Sequence, residues 1–426
     1  MHFPDRIEIP EDVLEIAETL HAAGHEAWCV GGAIRDTLLG EVNTDYDVAT
    51  SATPEVVKRL FEHTVPVGER FGTVAVRTRR RHHEVTTFRK DVTTDGRHAV
   101  VEYGASLDED LARRDFTVNA IAYEPLRHEW RDLFGGLADL EAGVIRAVGV
   151  PLERFREDYL RILRGIRFAA RFEFVIDPAT WEAAREATSG LAQLSAERVR
   201  EEWYKGLRGS RSIKRLVELW WDSGAAAVLL PELLKEGSEL SASPDTAPEN
   251  PLLRRHELVG RMGQQAASLA NRAEDRGTMV RRDPVLLTTM LCLDPVGVLV
   301  RLKASGSDIA RAAAVLSGPA EPPSLSVTAV RRWMAAVGDA ADDLTAIWHM
   351  RNGVEPLWEP VMRGIRERGE PLTRRMLAVS GGDLQAVGIA PGPAMGHVLD
   401  RLLALVVDDP SQNTREALLT HARKLA

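Results

Sequence analysis

Up to about residue 125, the apolar residues alternate between helical spacing and short β-rich runs. An amphipathic helix is predicted over 11–24, beginning after Pro10 and ending at Gly24. The same spacing predicts further helices at 33–39, 53–61 and 107–121. β-Branched and aromatic runs predict strands at 28–32, 44–49, 73–77 and 83–88, while 91–104 predicts a mobile loop or a weak hairpin. This order of elements predicts a mixed α/β head.

Strand signals stop near residue 150, and the rest of the chain has mostly helical spacing. The best-defined helices are predicted at 153–172, 178–189, 196–207 and 212–223. Residues 236–251, EGSELSASPDTAPENP, are polar and contain prolines, so they are a candidate boundary. The pattern predicts that a long helical body follows the head.

Composition narrows the class of protein. Hydrophobic residues make up 44% and charged residues 27% of the 426 positions, as in ordinary globular proteins. No run of about 18 apolar residues is present and the first residues lack an apolar signal core, so neither a membrane span nor a secretory signal is expected. Two distant cysteines give no disulfide framework, which indicates the cytoplasm. Because the net charge is −9, nucleic-acid binding would need a local basic surface.

Candidate chemistry begins at TDYD, residues 44–47. On a strand, Asp45 and Asp47 would project from the same face. Two convergent carboxylates repel each other unless a cation lies between them, and hard oxygen ligands favour Mg²⁺. Glu84, on the predicted strand 83–88, is the candidate third carboxylate of a two-metal site. Alone, a D-x-D pair is more often a solvated strand end.

The segment GGAIRDTLLG, residues 31–40, precedes the acidic pair by about a dozen residues. Gly31 and Gly32 would allow a phosphate to approach the backbone at the start of a helix. Arg35, one turn into that helix, is predicted to reach a triphosphate. Glycines, arginine and paired carboxylates together predict a site for a nucleoside triphosphate and magnesium.

These residues resemble the class II nucleotidyltransferases, which comprise the CCA-adding tRNA nucleotidyltransferases and related bacterial poly(A) polymerases. Further motifs of that family are matched by RRDFTVNAIAY (113–123), DLFGGLADLEAGVIRAVG (132–149), FREDYLRILRGIRFAARF (155–172), SAERVREEW (195–203) and GGDLQAVGIAPGPAMGHVLDRLL (381–403). The resemblance implies metal-dependent nucleotidyl transfer, with Asp45 and Asp47 as the metal pair. It also implies a polymerase β-like palm at 1–148, an all-α neck with a nucleotide-recognition helix at 149–210, and an all-α body and tail at 211–426 that binds tRNA.

The nucleotide-recognition helix has a physical interpretation. Asp158 and Arg161 are three residues apart and would share a helix face. Aspartate accepts hydrogen bonds and arginine donates them, so the pair matches the amino group and neighbouring acceptor of both cytosine and adenine. Guanine and uracil reverse that pattern. Arg164, one further turn along, could assist, although the ordinary interpretation of such a face is a set of solvated ion pairs.

In RRDFTVNA, Asp115 could accept a hydrogen bond from a ribose hydroxyl and Arg114 could reach the sugar or the phosphates. Asn119 would lie one turn further along the same helix. The resemblance implies that this group selects ribonucleotides, while an ordinary charged helix start is the alternative. His82 and His83 lack metal-ligand spacing and are expected at an exposed strand end.

Four functions remain open: complete CCA addition, a specialist that adds only CC or only A, a poly(A) polymerase, and a non-catalytic RNA-binding module. A loop at 89–104 disfavours the CC-only enzyme, and VPVGERFGTVAV (65–76) looks more like the tRNA enzymes than the poly(A) polymerases. Intact candidate residues argue against the module. The expected partners are CTP, ATP and the acceptor and TΨC arms of tRNA, with arginine pairs at 254–255, 281–282 and 374–375 as candidate contacts.

Overall fold

The computed structural model describes residues 2–41, 45–68, 72–78, 81–94, 99–234, 282–352 and 354–425. The chain forms two compact units, Met1–Gly237 and Ser238–Ala426. The division between them falls inside the polar segment 236–251 noted above. None of the helices in the described ranges is long and apolar enough to cross a membrane.

The first unit begins with a mixed α/β region. Its helices are α1 (Glu11–Ala22), α2 (Gly32–Leu38), α3 (Pro54–Leu60), α4 (Leu107–Ala112) and α5 (Gly136–Ala142). Its strands are β1 (Ala27–Val30), β2 (Asp47–Thr50), β3 (Thr64–Gly68), β4 (Thr73–Arg77), β5 (His82–Thr87), β6 (Arg89–Thr94), β7 (Ala99–Tyr103), β8 (Ile121–Glu124), β9 (Glu129–Asp132) and β10 (Val144–Ile145). A short 3-10 helix, Thr117–Asn119, precedes β8.

Seven of these strands form one sheet in the order β3-β4-β5-β2-β1-β8-β9. Only β2 and β5 run parallel; the other neighbours in this sheet are antiparallel. β1 is buried along its whole length, as expected for the apolar run AWCV at the centre of a sheet. β5 alternates instead, so His83 and Val85 are buried while Glu84 is exposed on the other face.

Helices dominate after the head. The first unit continues with α6 (Pro151–Glu157), α7 (Leu160–Phe172), α8 (Pro178–Glu186), α9 (Ala196–Gly209), α10 (Ile213–Asp222) and α11 (Ala225–Leu229), plus β11 (Val175–Ile176), which pairs with β10. The second unit contains α12 (Pro284–Leu291), α13 (Pro295–Arg301), α14 (Gly306–Ser317), α15 (Val327–Val337), α16 (Ala340–Asn352), α17 (Glu359–Glu367), α18 (Gly381–Ala386), α19 (Pro393–Asp408) and α20 (Arg415–Leu425). The predicted fold class, an α/β head followed by a helical chain, is confirmed.

Two predicted helices are wrong in the same way. The helix predicted at 107–121 ends at Ala112, because Phe116 is extended and pairs with Ala147. The helix predicted at 153–172 breaks at Asp158, whose extended backbone separates α6 from α7. Each break places an aspartate of a candidate motif, Asp115 or Asp158, outside regular helix. The segment 91–104 contributes to an antiparallel hairpin of β6 and β7, the second of the two predicted alternatives.

A steric prediction follows from the start of α5. A Cβ on Gly136 would lie 2.3 Å from the backbone oxygen of Thr117 and 2.7 Å from Cγ1 of Ile121. Because backbone atoms cannot move aside cheaply, Gly136→Ala should lower the free energy of unfolding by about 1–3 kcal/mol. Gly209→Ala is the control, since a Cβ there would meet only the side chain of Arg171, at 4.0 Å. Urea denaturation followed by circular dichroism measures both, and equal stability of the two variants would contradict the prediction.

Candidate active site

The glycine turn between β1 and α2 brings a cation and a carboxylate together. Gly31 has φ +77°, a conformation that favours glycine, and precedes the first helical residue, Gly32. A Cβ on Gly31 would lie 3.1 Å from Nη1 of Arg114 and 3.8 Å from Oδ2 of Asp47. Because Gly31 has no side chain, the Arg114 guanidinium and the Asp47 carboxylate can both approach its backbone.

The acidic residues surround the same place. Asp47 is the first residue of β2, opposite Val30 of β1, and Glu84 lies on the exposed face of β5, which neighbours β2. Asp45 precedes β2 rather than lying in it, so the prediction that both aspartates project from one strand is wrong. Asp45 and Asp47 are nevertheless both exposed and separated by only one buried residue, Tyr46.

The pKa of Asp47 reports the electrostatics of this cluster. Dense protein surroundings that displace water, and then the negative charge of Glu84, raise its pKa to about 6. Arg114 acts in the opposite direction, and Asp45 adds to the increase. Residue Asp47 keeps an exposed surface, so solvent or an ion can still reach it. The cluster therefore carries excess negative charge that a bound cation would neutralise.

The arrangement of side chains that could coordinate a metal is less well defined than the electrostatics. In the part of the chain that the structure describes, no group of three or more His, Cys, Asp or Glu side chains has the spacing of a metal site. The assignment of Asp45, Asp47 and Glu84 to a metal thus depends on their mutual repulsion and on the chemistry of carboxylate oxygens.

The RRDF turn is organised by Asp115, which is buried. Its Oδ1 accepts hydrogen bonds from the Phe116 amide at 2.8 Å and from Asn119 Nδ2 at 2.9 Å. Its Oδ2 accepts from Nε of Arg164 at 2.7 Å. Burial would raise the pKa of Asp115, but Arg164 and the two hydrogen bonds to Oδ1 outweigh it and lower the pKa to about 2. Asp115, Asn119 and Arg164 are therefore brought together, although by a turn rather than by the predicted helix.

The environment of Arg35 differs from the prediction that its side chain reaches a triphosphate. Its guanidinium is buried between the rings of Phe168 and Phe172, each centred 4.8 Å away. Its Nε donates to Asp36 at 2.8 Å, and its Nη1 donates to Oδ1 of Asn119 at 2.5 Å. A guanidinium enclosed in this way does not reach out to a triphosphate. It instead fixes the side chain of Asn119.

Asp158 lies in the break between α6 and α7 rather than on a helix face. Its Oδ1 accepts from the Leu160 amide at 3.1 Å, and its Oδ2 accepts from Nη2 of Arg198 on α9 at 2.7 Å. Arg198 therefore ties the carboxylate of Asp158 to α9.

The amide of Arg161, in the first turn of α7, donates to the Asp158 carbonyl at 3.1 Å, but the guanidinium hydrogen-bonds other residues. Its Nη1 donates to Glu157 at 2.8 Å and to the Arg154 carbonyl at 3.2 Å, and its Nη2 donates to the Arg113 carbonyl at 3.0 Å. The acceptor and the donor predicted to recognise a base are therefore held separately.

Two buried carboxylates near the site, Asp110 and Asp12, have partners that sequence reasoning missed. Asp110 on α4 pairs with both Arg113 and Arg114, and the i, i+3 and i, i+4 spacing in DLARR is a signal that could have found it. His83 is buried against Asp12 of α1, with Nε2 and Oδ2 2.8 Å apart. The expectation of an exposed His83 is wrong, because the strand alternation buries this position and exposes Glu84.

Three family models match the chain. The poly A polymerase head domain matches residues 27–146, and the probable RNA and SrmB-binding site of polymerase A matches residues 173–236. A tRNA nucleotidyltransferase domain 2 model matches residues 371–422. The matched regions thus include the glycine turn, the acidic residues and the RRDF turn at one end, and the C-terminal motif at the other.

Relatives match over nearly the whole length. The CCA-adding enzyme of Lactiplantibacillus plantarum is 34% identical over 421 residues, covering 96% of this chain and 95% of that one. The CCA-adding enzyme of Streptococcus mutans is 32% identical, covering 99% and 98%. The structure of the Bacillus stearothermophilus CCA-adding enzyme in complex with CTP has 30% identity and a TM-score of 0.70, covering 97% and 96%. The chain therefore belongs to the CCA-adding enzyme family of nucleotidyltransferases.

Proposed function

We propose that this protein completes the 3′ end of tRNA by adding CCA from CTP and ATP, without a nucleic-acid template and with release of pyrophosphate. The observation that carries the proposal is the meeting of Arg114 and Asp47 at the bare surface of Gly31, because it joins a phosphate-binding cation to an acidic cluster. The named activity of full-length relatives supports the same reaction.

Nucleotidyltransferases of the polymerase β type are generally metal-dependent, and we propose Mg²⁺ held by Asp45, Asp47 and Glu84. When bound, the metal would stabilise negative charge on the attacking 3′-oxygen and on the departing pyrophosphate. Arg114 contributes positive charge beside the triphosphate, and the backbone at Gly31 and Gly32 lets its phosphates approach closely.

The remaining residues select the nucleotide. Asp115 and Asn119 would hydrogen-bond the ribose, since both lie in the turn beside Arg114. Arg35 supports this contact indirectly through Asn119, and Arg164 supports it through Asp115.

Asp158 would accept from the amino group of cytosine or adenine, and Arg161 would donate to the neighbouring ring nitrogen. Guanine and uracil present a carbonyl and an N–H there, so each would leave buried polar groups without partners.

The division into a palm at 1–148, a neck at 149–210 and a body and tail at 211–426 is part of this proposal. The body and tail would hold the acceptor and TΨC arms by their backbone shape. Of the candidate arginine pairs, 254–255 and Arg281 lie outside the described residues, whereas Arg374 is paired with Asp400 in an exposed turn. A cytoplasmic location is proposed because tRNA is completed where thiols stay reduced, which suits a chain with two distant cysteines.

Nucleotide incorporation tests the function directly. Three transcripts of one tRNA, ending at the discriminator base, in C, or in CC, would be offered CTP, ATP or both with magnesium. Extension of all three to CCA followed by arrest is expected. Extension of only the CC-ended transcript indicates an A-adding specialist, a halt at CC indicates its counterpart, and long A ladders indicate a poly(A) polymerase. No incorporation on any transcript would leave only an RNA-binding role.

The first prediction from the proposed function concerns Asp45 and Asp47. Asp47→Asn should reduce the rate of nucleotide addition about 1000-fold, because metal contacts supply several kcal/mol of transition-state stabilisation. Its free energy of unfolding should not fall, since the substitution removes a charge that the folded state disfavours. Asp45→Ala should abolish activity in the same way with folding intact, and the exposed Asp5→Asn is the control. Retained activity in either Asp45→Ala or Asp47→Asn would overturn the metal assignment.

A second prediction concerns pH. Because the folded-state pKa of Asp47 is raised to about 6 from its ordinary value of 3.8, its ionisation lowers stability progressively between these values, and the full cost is present above them. A bound cation removes that cost, so magnesium should raise the melting temperature more at about pH 7.5 than at about pH 5. Asp47→Asn should lose this pH dependence. Equal magnesium effects at both pH values in the unsubstituted protein would contradict the prediction.

A third prediction concerns base choice. Arg161→Ala should reduce discrimination of CTP against UTP at least about tenfold, because one buried donor contributes about 1–3 kcal/mol to discrimination. The KM for tRNA should stay within about twofold, since the guanidinium contacts Glu157 and Arg113 rather than a distant surface. Arg156→Ala is the control, because it breaks only an exposed pair between Arg156 of α6 and Glu186 of α8. Unchanged discrimination in Arg161→Ala would remove it from base recognition.

A further inference from the structure

α4 carries a buried carboxylate to which no function has been assigned above. Asp110 is 1% exposed, and its two oxygens have different partners. Oδ1 accepts from Nε and Nη2 of Arg113 at 3.1 and 2.7 Å. Oδ2 accepts from Nη2 of Arg114 at 3.2 Å. Both arginines that begin the RRDF motif are therefore tied to one side chain.

The pair with Arg114 determines what that guanidinium faces. Its Nη2 is occupied by Asp110, and its Nη1 lies against the bare surface of Gly31 while donating to the Asn119 carbonyl at 3.4 Å. In this position its charge also acts on the Asp47 carboxylate. Asp110 thus holds the end of Arg114 that a triphosphate would not contact, and leaves the other end at the glycine turn.

The ion pair between Asp110 and Arg113 affects Arg161, which is proposed to contact the base. The side chain of Arg113 is held by Asp110, and its backbone carbonyl accepts from Nη2 of Arg161 at 3.0 Å. Among the hydrogen bonds of Arg161 described above, Nη1 donates to Glu157 and to the Arg154 carbonyl, whereas Nη2 donates to the Arg113 carbonyl. A shift of the Arg113 backbone would therefore move an acceptor that orients Arg161.

We propose that Asp110 is a positioning residue that fixes the triphosphate contact through Arg114 and the base contact through Arg113 and Arg161. The inference rests on the proposed nucleotidyl transfer. A carboxylate is required because each arginine needs its own acceptor oxygen, and an amide has only one. Burial alone would raise the pKa of Asp110, but Arg114 and then Arg113 outweigh it and keep the pKa below its usual range. The carboxylate is thus charged wherever the protein is folded near neutral pH.

Asp110→Asn tests the proposal. We expect the Kd for CTP, measured by isothermal titration calorimetry, to rise about 10- to 100-fold, the size of a lost charge-assisted contact. Discrimination against UTP should fall as well. Asp108→Asn is the matched control, because Asp108 lies on the same helix and pairs with an arginine, Arg131, outside the site. A Kd for CTP in Asp110→Asn equal to that of the control would overturn the proposal.

A double-mutant cycle separates positioning from general weakening of the fold. If Asp110 acts on CTP through Arg114, then Asp110→Asn should change the Kd for CTP less than about twofold once Arg114→Met is present. Independent, additive losses would mean that Asp110 does not act through Arg114, and would overturn that half of the proposal.

Arg113→Met covers the case in which Asp110→Asn does not fold, because it leaves the buried carboxylate paired with Arg114. It should raise the Kd for CTP less than Asp110→Asn does, because the Arg114 contact remains, while lowering discrimination against UTP. Unchanged discrimination would overturn the link to Arg161. An unsubstituted protein that binds no CTP and adds no nucleotide would refute the proposed function itself, which distinguishes that failure from a failure of this inference.

Discussion

The ion pair between the buried carboxylate of Asp115 and the half-buried guanidinium of Arg164 is the contact on which the candidate site depends. It joins the turn that follows α4 in the head to helix α7. Asn119 hydrogen-bonds the same carboxylate and in turn accepts from Arg35, whose guanidinium lies between two rings of α7. One hydrogen-bonded network therefore joins the RRDF turn to helices α2 and α7. Removing the Arg164 charge would leave the Asp115 carboxylate buried and uncompensated, which is far costlier than losing an exposed pair.

Two aspartates near this network have opposite electrostatic environments. Asp115 is surrounded by donors, and the pKa of its carboxyl is lowered to about 2. Asp47 has Glu84 and Asp45 as neighbours, and the pKa of its carboxyl is raised to about 6. A carboxylate with satisfied hydrogen bonds maintains the fold. A carboxylate whose charge is unfavourable can gain from a bound cation, so this contrast separates the structural role from the proposed metal-binding role.

Hydrophobic spacing predicted most elements of the head well, because the strands of the sheet are short apolar runs bounded by turn residues. β4 begins and ends where its sequence pattern indicates. The burial and the contacts of individual side chains were harder to predict. His83 is buried because Asp12, 71 residues earlier, supplies its partner, and Arg35 is buried because two phenylalanines of a later helix enclose it. Local spacing carries no information about such distant partners, so the motifs could nominate candidate residues while the contacts of those residues required the structure.

The two wrongly predicted helices share one physical cause. At Asp115 and at Asp158, Oδ1 accepts a backbone amide from one or two residues further along the chain, which competes with helical hydrogen bonding. The other oxygen then accepts from an arginine on a separate helix, Arg164 or Arg198. Helical spacing around each aspartate is genuine, but the distant arginine stabilises the break. The break that made the helix prediction wrong also leaves Asp158 half-buried rather than packed within a continuous helix, which suits its proposed contact with a base.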